Sequence, residues 1–197
     1  MNNPWLYETT LKGNLVTLAP LTRGHTNALL EAAADDELWN LWYTSVPSIS
    51  TIDAYLDQAF KDQNEGRALL FVVIDKATQK IIGSTRYCNS DSLNKRVEIG
   101  YTWYAKSFQR TGINTECKYL LLSHAFEVLD SIAVEFRTHW HNHASRAAIA
   151  RLGAKQDGIL RNHQKNAEGV YRDTVVFSII DQEWPTVKKN LEYKMAR

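Results

Sequence analysis

Only two cysteines, Cys88 and Cys117, occur in 197 residues. They are too few for a disulfide framework and lack the spacing of a metal-ligand set. The four prolines, Pro4, Pro20, Pro47 and Pro185, interrupt no long periodic segment. The longest apolar run, Ala68 to Ile74, is far short of the ~20 residues that a membrane helix needs. The opening Met1-Asn2-Asn3-Pro4-Trp5 has neither the basic nor the apolar region of a secretory signal. An excess of one charge is also missing: 23 basic and 22 acidic residues leave +1. Broad electrostatic binding to nucleic acid is therefore not expected, although a local basic patch is compatible with that balance. There is no repeat, low-complexity tract or linker. What remains is a globular composition, 44% hydrophobic and 23% charged, in a length suited to one domain of a reducing cytoplasm.

Local patterns predict the elements. Asn14 to Ala19 alternates as a strand. Thr22 can cap a helix carrying Ala28, Leu29 and Ala32. Ser50 with Asp53 resembles a capping box, followed by Tyr55, Leu56, Ala59 and Phe60 at helical spacing up to Gly66. Leu69–Ile74, Lys80–Cys88 and Arg96–Tyr104 read as strands. In the last of these Val97, Ile99, Tyr101 and Trp103 are expected on one face, and Glu98, Gly100 and Thr102 on the other. Gly100 suggests a bulge or a close approach. Cys117, Leu120, Leu121, His124, Ala125 and Val128 form a helical stripe. Ala133–Thr138 is a strand, and Asn142 caps a helix with Ile149 and Leu152 that Gly153 stops. Strands follow near Lys155–Leu160 and Tyr171–Ile180, and a last helix begins near Asp181 and Pro185. The order β-α-α-β-β-β-α-β-α-β-β(-α) predicts an α/β fold with a mixed, twisted sheet flanked by helices.

The chemical signal lies between a strand and a long helix, in Ser107-Phe108-Gln109-Arg110-Thr111-Gly112-Ile113-Asn114-Thr115. A loop entering a helix aims backbone N–H groups and the positive dipole end at one point, which suits a pyrophosphate. Gly112 lets such a group approach the main chain, and Arg110 adds a cation. A plain strand-to-helix turn with a glycine would look the same.

Gln109-x-x-Gly112-x-Asn114 resembles the Q/R-x-x-G-x-G/A loop of the GCN5-related N-acetyltransferases (GNAT). The string Val97-Glu98-Ile99-Gly100-Tyr101-Thr102-Trp103, the loop Phe108 to Glu116, and Asn142-x-x-Ser145-x-x-Ala148-Ile149-x-x-Leu152-Gly153-Ala154 resemble the RimJ/RimL-type branch. The resemblance implies a single acetyltransferase domain over residues 1–197, with a core of about 14–180 and a C-terminal helix of about 185–195. It also implies acetyl-CoA as cosubstrate, held by Thr102, Trp103, Gln109, Arg110, Thr111, Gly112, Ile113, Asn114, Thr115 and Asn142. Asn114 departs from the usual Gly or Ala, and asparagine's tolerance of unusual backbone angles should preserve the loop.

The resemblance makes Glu98 the candidate general base and Ser145 the candidate acid for the leaving thiolate. Each has a plainer alternative. Glu98 can be a solvated carboxylate or pair with Arg96 or Arg137, and Asn142 and Ser145 can serve only to cap a helix. Tyr101 is a rival acid. Trp39, Trp42 and Tyr43 are expected over the acceptor side of the cleft, to grip a substrate or act as a lid. His139, His141 and His143 lack a completing ligand, so no metal is expected. Cys117 reads as a core residue. The expected reaction is acetyl transfer from acetyl-CoA to a primary amine, favouring a protein or peptide N-terminus, by direct attack in a ternary complex. A small-amine acetyltransferase and a non-catalytic acetyl-CoA-binding module are the alternatives. No nucleic acid or membrane partner is expected, and a homodimer is an admissible assembly.

Overall fold

The computed structural model describes residues 5–166 and 168–197. The start examined for a secretory signal lies, from residue 1 to residue 4, outside the described residues. In chain order the elements are β1 (Leu11–Lys12), β2 (Val16–Pro20), α1 (Thr26–Ala34), α2 (Ile52–Asn64), β3 (Leu69–Asp75), β4 (Ile81–Asp91), β5 (Arg96–Tyr104), α3 (Ile113–Glu127), β6 (Ala133–His139), α4 (His143–Leu152), β7 (Lys155–Lys165), β8 (Tyr171–Ile180) and α5 (Trp184–Met195). The strands form one eight-stranded sheet in the order β1-β2-β3-β4-β5-β6-β8-β7. Every neighbouring pair is antiparallel except β5 and β6, which α3 connects, so the sheet is mixed.

Side-chain alternation explains the layers. On β3, Leu69, Phe71 and Val73 enter a core with Leu121 of α3, Leu152 of α4 and Leu191 of α5. Leu70 and Val72 point the other way, against Leu29 of α1 and Leu56 of α2. A central strand buried on both faces accounts for its unbroken apolar run. Gly153 takes φ +110° at the end of α4, a left-handed angle that favours glycine. Among the described residues no helix is long and apolar enough to cross a membrane.

Several local expectations are corrected. Thr22 precedes a short 3-10 turn, Arg23–His25, and α1 begins only at Thr26. The Ser50–Asp53 box does not form: Thr51 stands at the N-cap of α2, and its Oγ1 accepts the Ser48 N–H at 2.8 Å. β4 runs on to Asp91 through an irregularity at Asn89, where φ is +47°. Val128 falls beyond the end of α3 and is 56% exposed, whereas Glu116, Lys118 and Leu122 are buried. That helix is enclosed over a wider arc than its apolar stripe indicated.

The most consequential correction concerns β5. Val97 and Ile99 pack towards α3 as expected, but Trp103 packs with α1 and α2. Between Ser84 and Arg86 on β4, the partner changes from Trp103 to Gly100, so β5 carries an extra residue. Tyr101 sits in this bulge at φ +50°. The bulge reverses the alternation: Thr102 turns to the α3 side, while Glu98 and Gly100 face α1 and α2. A bulge also bends its strand, and β5 leaves β6 just before it.

Candidate active site

β5 and β6 are paired only over Arg96–Glu98 and Ala133–Glu135. Beyond these residues β6 stays with β8 as far as His139, and a gap opens between the two parallel strands. The loop from Lys106 to Gly112 leads from the far end of β5 into the N-terminus of α3. Gln109 Nε2 donates to the Tyr104 carbonyl at 3.0 Å, and Thr111 Oγ1 donates to the Phe108 carbonyl at 2.8 Å. The left-handed angle falls on Arg110, at φ +60°. Asn114 lies inside α3, where its Oδ1 accepts the Tyr104 hydroxyl at 3.2 Å. The tolerance expected of Asn114 is therefore not called upon. Gly112 has an ordinary φ of −65°, and a Cβ there would meet only the Leu15 methyl at 3.0 Å. The first N–H groups of α3 lack helical partners and point out of its N-terminus.

Two carboxylate braces that the sequence reading missed, the first of them buried, support this loop. Glu116 accepts the N–H groups of Asn14, Leu15 and Val16 at 2.8, 2.7 and 2.9 Å. Asp35, just after α1, accepts both the N–H and the hydroxyl of Ser107, at 2.8 and 2.7 Å. Those bonds hold the Asp35 carboxyl below its usual range.

Glu98 lies where the strands part and is 6% exposed. Its Oε2 accepts from Asn89 Nδ2 at 2.8 Å and stands 3.4 Å from Arg137 Nε. Burial pushes its pKa up, while Asn89 and Arg137 pull it down and the net direction is upward. Of the two arginines considered as partners, Arg96 instead pairs with Glu135 at 2.6 Å. Gly100 is required here, because a Cβ would meet Cys88 Sγ at 2.9 Å and Glu98 Oε1 at 3.1 Å. A concavity of about 350 Å³, lined in part by Arg96, Glu135, Arg137 and Leu160, adjoins the Glu98–Arg137 pair.

On the α3 side of the gap, buried Lys118 donates to Thr102 Oγ1 at 2.6 Å. Thr102 is also 2.8 Å from Thr85 Oγ1. Lys118 Nζ lies 5.9 Å from the centre of the Phe136 ring, on the first β6 residue beyond the pairing. Burial lowers its pKa to about 8. A charged residue inside an amphipathic helix was the available signal, and it reads equally well as a solvated face.

The remaining candidates divide. Trp42 packs against His139 and His141, with ring centres 4.9 and 5.7 Å away, and against Tyr43 at 5.6 Å. Trp39 is instead packed in the α1–α2 core. The Trp103 indole also enters that core, so only its main chain remains for a cofactor. Asn142 caps α4, accepting the Ser145 N–H on Oδ1 at 3.0 Å, as the plainer alternative had it; its Nδ2 is not used in the cap. His139 is buried, and its Nδ1 accepts the His141 N–H at 3.0 Å. Burial, and then Arg172 and His141, lower its pKa. Among the described residues no three His, Cys, Asp or Glu side chains form a metal cluster. Both thiols are buried, and burial raises each pKa, that of Cys117 to about 12. Neither offers a ready thiolate.

Comparison with known proteins agrees with this geometry. A family model for the acetyltransferase (GNAT) domain matches residues 16–155. YdaF of Bacillus subtilis, provisionally named a ribosomal N-acetyltransferase, is 35% identical over 96 residues. That match spans 49% of this chain and 51% of YdaF, about half the length of the relative. The crystal structure of a GCN5-related N-acetyltransferase from Brucella melitensis superposes with a TM-score of 0.85 at 30% identity, covering 98% of this chain and 87% of that one. Mycobacterium smegmatis RimJ, solved with CoA-disulfide, has the same fold, with a TM-score of 0.79, 22% identity and 95% of each chain covered. With the split strands, the loop entering α3 and the matched domain, the chain belongs to the GNAT family of acetyltransferases.

Proposed function

We propose that this acetyltransferase moves the acetyl group of acetyl-CoA to the N-terminal amine of a peptide or protein. The observation that carries the reading is the gap between β5 and β6, with the α3 loop at one end and buried Glu98 at the other. The loop N–H groups and Arg110 would hold the pyrophosphate. The pantetheine arm would lie in the gap, its amides meeting strand main chain as an added strand does. Thr102, and the free Nδ2 of Asn142, would face the arm.

Glu98, directly or through water, would take a proton from the incoming ammonium. A raised pKa suits that task at neutral pH. The neutral amine attacks the thioester carbonyl, a C–N bond forms, and the C–S bond breaks with its electron pair passing to sulfur. The nitrogen then loses its second proton, and Ser145, in the first turn of α4, would relay a proton to the thiolate, its hydroxyl being restored by the one the nitrogen releases. A non-catalytic binder would have no use for a buried base at this point. The name of YdaF, a ribosomal N-acetyltransferase, supports a peptide acceptor over a small amine. Release of free CoA, measured with acetyl-CoA and a panel of peptides, amino acids and polyamines, tests the proposal. Preference for a free polyamine would overturn the peptide acceptor, and no release with any amine would overturn the transfer.

A further inference from the structure

Arg86 lies on β4 opposite Gly100, on the face that carries Glu98. It is 3% exposed. Its guanidinium is stacked over Tyr101, 3.9 Å from the ring centre, and 4.9 Å from the centre of Tyr55 on α2. Among the described residues no carboxylate stands within salt-bridge distance of it. Two aromatic faces hold the plane of the guanidinium, and among the described residues no hydrogen-bond acceptor meets its N–H rim. A buried cation is normally paired.

A second arginine repeats the pattern. Arg172, near the start of β8, has a buried Nε that finds no hydrogen-bond partner among the described residues. It stands two residues before Thr174, which pairs with His139 at the end of β6, and the Trp140 N–H beside that histidine donates to the Asp173 carbonyl at 3.1 Å. The nearby carboxylates already have other partners: Glu98 has Asn89 and Arg137, Asp62 has Arg67 and Asp173 has Arg161. Among the described residues none of them pairs with Arg86 or Arg172.

We infer that Arg86 and Arg172 form an anion subsite, and that the acceptor is an amine bearing a carboxylate or phosphate a few bonds from the reacting nitrogen. The inference rests on the acetyl-transfer reading and names its substrate class. The anion can be an acidic side chain at the start of a peptide, the α-carboxylate of a free amino acid, or a phosphate. In each case planar N–H donors meet oxygen in a water-poor site, where a charged pair is strongest.

The test uses matched acceptors: Ser-Asp and Ser-Asn tetrapeptides, a free amino acid and its amide, and an aminoalkyl phosphate with its alcohol. kcat/KM by CoA release and Kd by calorimetry are measured for each. The anionic member of at least one pair is expected to exceed its neutral partner about 10- to 100-fold. The pair that shows the largest ratio identifies the source of the anion. Arg86→Gln, and separately Arg172→Gln, should bring that ratio towards one while acetyl-CoA still binds. Arg172→Gln keeps the test open should Arg86→Gln fail to fold. Equal turnover and affinity within every wild-type pair overturns the subsite but leaves acetyl transfer standing. Preferential binding of anions without turnover of any acceptor overturns acetyl transfer and supports the subsite.

Discussion

Arg137 Nε stands 3.4 Å from the Glu98 carboxylate oxygen that also accepts from Asn89, so the candidate base is buried but not abandoned. The three groups come from β6, β5 and the irregular stretch of β4. They meet only because β5 and β6 are still paired at this level. One residue further along, the strands separate.

Glu98→Gln is expected to lower kcat by ~10²–10⁴, with acetyl-CoA affinity nearly intact. The base must be ionised to work, so wild-type activity falls as pH drops through its raised pKa. That acidic limb should lie above the ordinary glutamate value and disappear in the variant. Stability has the opposite sign. A carboxyl with a raised folded-state pKa contributes most below its unfolded value, and that contribution is lost as pH rises through the folded one. Glu98→Gln should therefore keep or raise Tm at neutral pH. Rate profiles and thermal melts separate the two effects, and activity within a few-fold of wild type across the range would remove Glu98 from the chemistry.

Gly112→Asp tests the loop. The position is the N-cap of α3 with an ordinary backbone angle, where aspartate favours helix formation. Folding should therefore persist, with Tm unchanged or higher. A negative charge there opposes a pyrophosphate, and acetyl-CoA affinity should fall by about ten-fold or more. Calorimetry on the folded variant decides, and unchanged affinity removes the pyrophosphate from this loop.

Lys118 carries a pH signature of its own. Its pKa is lowered from 10.5 to about 8 by burial. Below about pH 8 both folded and unfolded chains hold the proton, and the folded state bears the full cost of the buried charge. Between about 8 and 10.5 the folded protein releases a proton that the unfolded chain keeps, so stability rises with pH across that window. Lys118→Met should abolish the rise and stabilise the protein at neutral pH by on the order of 2–3 kcal/mol. Urea unfolding of both proteins over that pH range measures it, and parallel curves would show that the ammonium is not buried as described.

Trp42 is the aromatic of its segment that reaches the cleft; it is 65% exposed and packed on His139. If the acceptor is a peptide, kcat/KM should rise from a free amino acid to its amide to a tetrapeptide, because remote contacts are expressed at the reacting centre. Trp42→Ala should flatten the rise by reducing activity on the longest acceptor most. A flat wild-type series would favour a small amine.

Much of the frame is visible in local sequence. The bounds of β5 and β8, the Asn142 cap and the Gly153 stop coincide with the structure, whereas the loop expected from Ser107 to Asn114 ends at Gly112, because Ile113 already opens α3. Each rests on a short-range cause: alternation, a capping side chain or a left-handed glycine. The ordered strings around Glu98, Gly112 and Asn142 carry the family for the same reason, since a strand, a loop and a helix start each need their own residue types.

The long-range arrangement is not visible there. The face of Trp103 depends on a bulge at Tyr101, and the bulge exists only in the register of β5 against β4. Arg86 and Lys118 look like solvated charges until helices close over them. The +1 net charge gives no hint of an arginine buried between two aromatic rings, because a sum over the chain carries no positions. Local chemistry specifies which elements form, as propensity and capping act over a few residues. Strand register and helix packing set Glu98 beside Asn89 and Arg137 and bury Arg86 between Tyr55 and Tyr101, because the burial and pairing of a charge depend on groups far away in sequence.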